Sequence, residues 1–271
     1  MRIGEAPNGG RLRPPFVVVA LGAVTVLFLA LPLVGLLLKT SWSTLWSDLT
    51  STVALDALHL SLVCSLWATG LSLVFGIPLA WLLARCTFRG KRVIRALTIL
   101  PMVLPPVVGG VALLLVFGRS GILGRPIFQL TGVQFTFATA GAVLAETFVA
   151  MPFLIITVEA ALVSMDIRYE DVAASLGAGR WTTFRQVTAP LISSSLVAGA
   201  ALTWARALGE FGATITFAGN IQGRTQTLPL AVYLALQGNG QVAIALSLAL
   251  VGISFLVLVA LRGRWLGALS S

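Results

Sequence analysis

Charge is what this chain has least of. Asp, Glu, Lys and Arg together make up 10% of its 271 residues, against about 25% in an average soluble domain. So few ionised groups cannot coat a water-soluble globule of this length, which makes lipid the indicated solvent. Histidine occurs once, at His59, and cysteine twice, at Cys64 and Cys86. On one helix those thiols would stand about 33 Å apart at 1.5 Å per residue. A disulfide allows only roughly 4.4–6.8 Å between Cα atoms, so they cannot pair within the chain. Neither cysteine has a Cys or His neighbour at ligand spacing, so no metal site is expected. His59, near a span end, reads as a solvated interfacial residue. No nucleophile–base arrangement is present either, and the expectation is no catalytic residue. A phosphate-binding loop is also missing. Such a loop needs G-x4-G-K-[ST]. The nearest stretch, Gly219-Asn-Ile-Gln-Gly223-Arg-Thr225, is one residue short between its glycines and has Arg for Lys.

What the chain has in plenty is apolar sequence, 58% of it. A span of the hydrocarbon core takes about 20 mostly apolar residues. Runs of that kind fall at about 16–38, 58–83, 96–118, 135–158, 191–211 and 241–261. The expected fold is an all-α integral membrane protein of six transmembrane helices, with residues 58–261 as one domain. Residues 1–15, with Arg2, Arg11 and Arg13 among Gly, Pro and Asn, read as an unstructured tail, and 262–271 as a second tail. A signal peptide is the rival for the first run. Its 23 uncharged residues exceed a usual signal core, and no convincing cleavage site follows. The third run holds Pro101, Pro105, Pro106, Gly109 and Gly110. Proline lacks a backbone donor and clashes with the preceding turn, so this span should be kinked or start with a broken turn. Residues 227–238 are apolar but too short to cross.

The formal charge is +9, which in a soluble chain would raise nucleic acid as a partner. Topology explains it better. Cytoplasmic loops carry an excess of Lys and Arg. With the N-terminus inside, the inner segments hold thirteen: Arg2, Arg11, Arg13, Arg85, Arg89, Lys91, Arg92, Arg95, Arg168, Arg180, Arg185, Arg262 and Arg264. The outer segments hold Lys39, Arg119, Arg125 and Arg224. That asymmetry selects N-in, C-in in a cytoplasmic membrane, with lipid rather than nucleic acid as the surrounding partner.

The polar stretch at about 159–190 is the most informative. Glu170 and Asp171 suit a helix N-terminus. Val172, Ala173 and Leu176 can share one apolar face, Gly177 and Gly179 turn the chain, Phe184 and Val187 resume an apolar stripe, and Pro190 opens the next span. The result is a short helical hairpin outside the bilayer with an exposed apolar ridge that needs a partner.

Here the sequence resembles the permease subunits of binding-protein-dependent ABC importers of the type I fold. Their loop reads E-A-A, three residues, G, nine residues, I-x-L-P. This chain keeps the spacing with Asp171-Val172-Ala173, Gly177 and Val187-Thr188-Ala189-Pro190, but substitutes four identities. The resemblance implies that Glu170, Asp171, Val172, Ala173, Leu176, Gly177 and Arg180, with Phe184 and Pro190 behind them, dock into a separate ATPase subunit that binds ATP and Mg. No cofactor is then bound by this chain.

The stretch from Arg206-Ala-Leu-Gly-Glu210 to Asn220 and on through Thr225-Gln-Thr-Leu-Pro229 resembles the molybdate and sulfate branch of those permeases, and is closer to the molybdate members. That implies oxyanion cargo, with sulfate or thiosulfate as the alternative and tungstate as a companion of molybdate. It also implies a homodimer, two ATPase subunits and one extracytoplasmic oxyanion-binding protein. Arg206 and Glu210, one helical turn apart, can pair. Ionised groups inside a span mark pathways or satisfy one another. Arg206, Glu210, Thr214, Thr216, Asn220 and the intraspan Glu146 are the candidates for an anion path or gate. An ion-coupled secondary transporter or channel using Glu146, Arg206 and Glu210 is the rival class. It predicts internal inverted repeats, which the sequence lacks.

Overall fold

The computed structural model describes residues 15–269. Of the expected tail at 1–15, residues 1–14 lie outside the described residues. The chain divides into two units, residues 1–41 and 42–271. The first unit holds helix α1 (Phe16–Lys39), in which no residue is buried. The second begins with a short α2 (Leu45–Leu49) and the long α3 (Thr52–Arg85). Next come α4 (Lys91–Val103), α5 (Pro106–Phe117), α6 (Gly124–Thr131) and α7 (Thr139–Ser164). After α8 (Arg168–Ser175) and α9 (Arg180–Thr183) there is a π-helical turn (Phe184–Thr188), which leads into α10 (Ala189–Leu191). The chain ends with α11 (Ser193–Leu208), α12 (Gly212–Phe217), α13 (Leu228–Gly238) and α14 (Gly240–Leu269). There is no strand among the described residues. Four helices are long and apolar enough to cross a membrane, and six do if each of two bent pairs counts as one span.

The centre is α3 packed on α7, with α11 against both. The buried face of α3 is a stripe of small residues: Ala57, Ser61, Cys64, Ala68, Ser72, Gly76 and Ala80. Lipid tails are as apolar as leucine, so helices in a membrane associate through close van der Waals packing, which small side chains permit. Hydroxyls on this face are satisfied within the helix: Thr69 donates to the Ser65 carbonyl and Ser72 to that of Ala68. Between α13 and α3 the Leu228 amide donates to Ser61 Oγ at 2.6 Å.

Three expectations change. The proline-rich third span is not one kinked helix but two, α4 and α5, bent by 118°. A residue before proline is driven out of the α region. Leu104 precedes Pro105 and Pro105 precedes Pro106, and both adopt extended ψ values, 136° and 130°. The returning α5 packs on α12, where a Cβ on Gly110 would lie 2.7 Å from Thr216 Cβ and 2.9 Å from the Ala213 carbonyl oxygen. Only glycine allows that approach. Second, α7 runs on to Ser164, so Glu159 is helical rather than the start of the loop, and it pairs with Arg95 of α4. Third, α14 continues to Leu269, through most of the expected C-terminal tail.

Candidate functional site

The loop after α7 is built from local rules. Asp166 Oδ1 accepts from the Arg168 amide at 3.0 Å and starts α8. Glu170 and Asp171 fall in its first turn, where carboxylates meet the positive end of the helix dipole. The end is a paired C-cap: the Ala178 amide donates to the Ala173 carbonyl and the Gly177 amide to that of Ala174, both at 3.0 Å. This closure needs a left-handed residue just past the helix, and Gly177 supplies it at φ +86°.

The faces of α8 are then fixed. Tyr169, Val172 and Leu176 point outward, 56%, 57% and 83% exposed. Ala173 does not join them, because it is buried at 9%. The expected three-residue ridge is therefore Val172 with Leu176, flanked by Tyr169. Ala173, one residue past Val172 and about 100° round the helix, faces the protein. Behind α9, Trp181 stacks on Phe184 with centroids 5.8 Å apart. The π-helical turn comes next, closed by the Ala189 amide donating to the Phe184 carbonyl. Pro190 has no amide to continue the ladder, so a widened turn just before it absorbs the missing bond. Pro190 does not itself open the span. The chain bends by 77° between residues 180–191 and α11, at Ile192.

Glu170 is the hinge of the loop. One carboxylate oxygen sits 3.1 Å from Arg85 Nε, and the other accepts from Arg85 Nη2 at 3.3 Å and from Thr188 Oγ1 at 2.9 Å. Both side chains are largely shielded, 11% exposed for Arg85 and 14% for Glu170. One carboxylate thus ties α8 to the last turn of α3 and to the π-helical turn. Sequence reading placed Arg85 among basic loop residues and Thr188 inside a consensus gap. A helix-terminal arginine 85 residues from its acid carries no local signal.

The interior candidates fall out differently. Arg206 pairs with Glu210, Nη2 to Oε2 at 2.6 Å, with 30% and 1% of the side chains exposed. The other Glu210 oxygen accepts from the Ala213 amide at 2.9 Å, at the start of α12. Glu146 is 1% exposed, and its Oε2 has no hydrogen-bond partner. Glu146 forms no ion pair with Arg206, whose partner is Glu210. Thr216 Oγ1 donates to the Gly212 carbonyl. Thr214 Oγ1 and Asn220 Oδ1 are buried without a partner. The Thr225-Gln226-Thr227 run is buried too, with Thr225 Oγ1 accepting from the Ile221 amide at 2.8 Å. Among the described residues no group of three or more His, Cys, Asp and Glu could hold a metal ion.

Residues 76–268 match the family described as binding-protein-dependent transport system inner membrane component. The chain is 44% identical over 239 residues to the molybdenum transport system permease protein ModB of Mycobacterium tuberculosis (strain ATCC 25618 / H37Rv), covering 88% of this chain and 90% of that one. It is 36% identical over 214 residues to the sulfate transport system permease protein CysT of Escherichia coli (strain K12), covering 78% of this chain and 77% of that one. Among solved structures it shares the fold of a bacterial ABC transporter involved in the import of the acidic polysaccharide alginate. The TM-score is 0.69 at 20% identity, over 92% of this chain and 93% of that one.

Proposed function

The chain belongs to the inner membrane component family of binding-protein-dependent transport systems, and from that premise we propose that it is the translocating subunit of an ATP-driven molybdate importer. The observation that carries the cargo is the 44% identity to a molybdenum permease over most of both chains, against 36% to a sulfate permease. Tungstate, the same tetrahedral dianion in size and charge, is the companion cargo. The chain makes and breaks no substrate bond. ATP hydrolysis belongs to two copies of a separate cytoplasmic subunit, and cargo capture to an extracytoplasmic binding protein. Two copies of this chain form the path around a twofold axis.

In this reading the loop faces the cytoplasm, the N- and C-termini lie inside, and Val172 and Leu176 seat in the ATPase. Closure of the ATPase pair pushes on α8. The Glu170 carboxylate passes that push to α3 through Arg85 and to the segment leading into α11 through Thr188. Since α3 and α11 both pack on α7, the three helices move together and the path alternates between the two sides. A path must not hold the anion tightly. Arg206, already answered by Glu210, offers the anion no free charge to bind.

The test is uptake by proteoliposomes holding the permease, its ATPase and its binding protein. Labelled molybdate should enter only with internal ATP. Excess tungstate should compete, and excess sulfate should not. Sulfate competition at equal strength would move the cargo to the sulfate branch. Uptake that survives ATP depletion would move the chain to the ion-coupled class.

A further inference from the structure

Beyond the transport reading, we infer that the chain binds one anionic phospholipid in a groove between α3 and the α9–π-turn segment, with its phosphate on Arg180, which takes that residue out of the ATPase contact the resemblance implies for it. The groove encloses about 770 Å³, and its walls, almost wholly apolar, include Val74, Ile77, Trp81 and Leu82 on one side and Trp181 on the other. From Val74 to Leu82 the helix rises about 12 Å. That is close to one leaflet of a hydrocarbon core about 30 Å thick. Water gains nothing in an apolar groove at that depth, whereas an acyl chain fills it.

The groove is polar at one end only. Arg180 lines it beside Trp181, which is 73% exposed. Among the described residues Arg180 enters no ion pair. Glu170 is held by Arg85, and Asp171, which lines a smaller adjoining cavity with Arg180, forms no ion pair with it. A cation and an interfacial tryptophan above an apolar slot repeat the order of a phospholipid, head to tail. Basic pockets between helices on the cytoplasmic side recognise anionic headgroups in this way, and tryptophan favours that depth. Charge complementarity selects this occupant over a protein one. An apolar span such as α1 (Phe16–Lys39) contains no acidic residue to meet Arg180.

The side of the membrane rests on the orientation proposed above, but the binding test does not. The complex of permease and ATPase is reconstituted in nanodiscs of phosphatidylcholine with phosphatidylglycerol. It is then returned to mild detergent, and retained lipid is counted by native mass spectrometry. The wild type should retain phosphatidylglycerol in preference to phosphatidylcholine. Arg180→Gln should lower that retention about five-fold, the effect of one basic residue near a membrane surface, and Arg180→Lys should keep most of it. Val74→Trp, which fills the slot from the tail end, should abolish retention of both lipids while the complex still assembles. Equal retention of the two lipids by the wild type overturns the inference. So does unchanged retention in Val74→Trp, or a disulfide between two copies through Val74→Cys, which would show a second protein chain in the groove.

Discussion

Two sets of charges sit in this protein, and they are wired in opposite ways. At the loop, Glu170 joins residues 85 positions away at Arg85 and 18 away at Thr188. Glu159 likewise reaches Arg95 on another helix. Inside the bundle, Arg206 and Glu210 close on each other within one helical turn, and Glu146 is left over. A bond between distant segments can pass a displacement from one to another. A bond within one turn can only stiffen that turn. The loop charges are therefore suited to transmission and the interior pair to ordering the junction of α11 and α12.

The largest effect expected from this contrast is on stability at the interior pair. Glu210→Ala strands a partly buried guanidinium and removes the acceptor for the Ala213 amide. Breaking one side of a buried pair costs about 3–5 kcal/mol. The partial exposure of Arg206 places this site near the lower end, so a clear fall in the unfolding midpoint in detergent is expected. Arg206→Met with Glu210→Met should recover much of it, because a pair replaced on both sides by apolar groups is often neutral. If the double variant stays folded but loses all uptake, the pair belongs to the path and the contrast fails.

The next effect should appear in coupling rather than in folding. Glu170→Gln keeps the shape of the side chain and its contact with Thr188 but weakens the Arg85 link. Uptake should fall about tenfold, the loss of roughly 1.4 kcal/mol of differential interaction, while ATP hydrolysis by the assembled complex continues. Exchanging the charges, Arg85→Glu with Glu170→Arg, should restore part of the uptake. Loss of hydrolysis and uptake in proportion would mean that the network only holds the loop together. On the outer face of α8, Val172→Ser with Leu176→Ser should leave stability within about 0.5 kcal/mol, as exposed substitutions do. It should weaken ATPase capture about tenfold, measured by pull-down of the purified subunit.

How much of this could be read in advance follows the same division. Spacing from Asp171 to Pro190 located the short helix and its glycine turn, because caps and periodicity are local. Composition and basic asymmetry indicated a multi-span chain. The 118° reversal at Pro105 and Pro106 was legible only as a kink or a broken turn. Proline dictates where a helix breaks, but the direction taken afterwards depends on α5 finding α12, which no local pattern encodes. Ala173 looked outward for a related reason. A three-residue apolar set on an eight-residue helix fits two rotations, and only the anchoring of Glu170 to Arg85 chooses between them. The run at Thr225 to Thr227, part of the stretch that resembles the molybdate branch, proved buried and turn-forming. Its distinctiveness therefore has a structural source beside any functional one.

The smallest effect, and the most pointed one, concerns Glu146. Its carboxyl is buried in α7, has an oxygen with no hydrogen-bond partner and lies within electrostatic range of the Glu210 carboxylate. A group that formed a structural pair would lose stability on neutral replacement. Glu146 has no cation to lose. Glu146→Gln preserves size and breaks no ion pair, so stability should stay within about 1 kcal/mol. Uptake should be nearly unchanged if the interior charges only order helix ends. A tenfold loss of uptake at full stability would place Glu146 on the route of the anion or of its gate. The interior set would then split, with Arg206 and Glu210 structural and Glu146 functional, and the division between a transmitting loop and a passive interior would no longer hold.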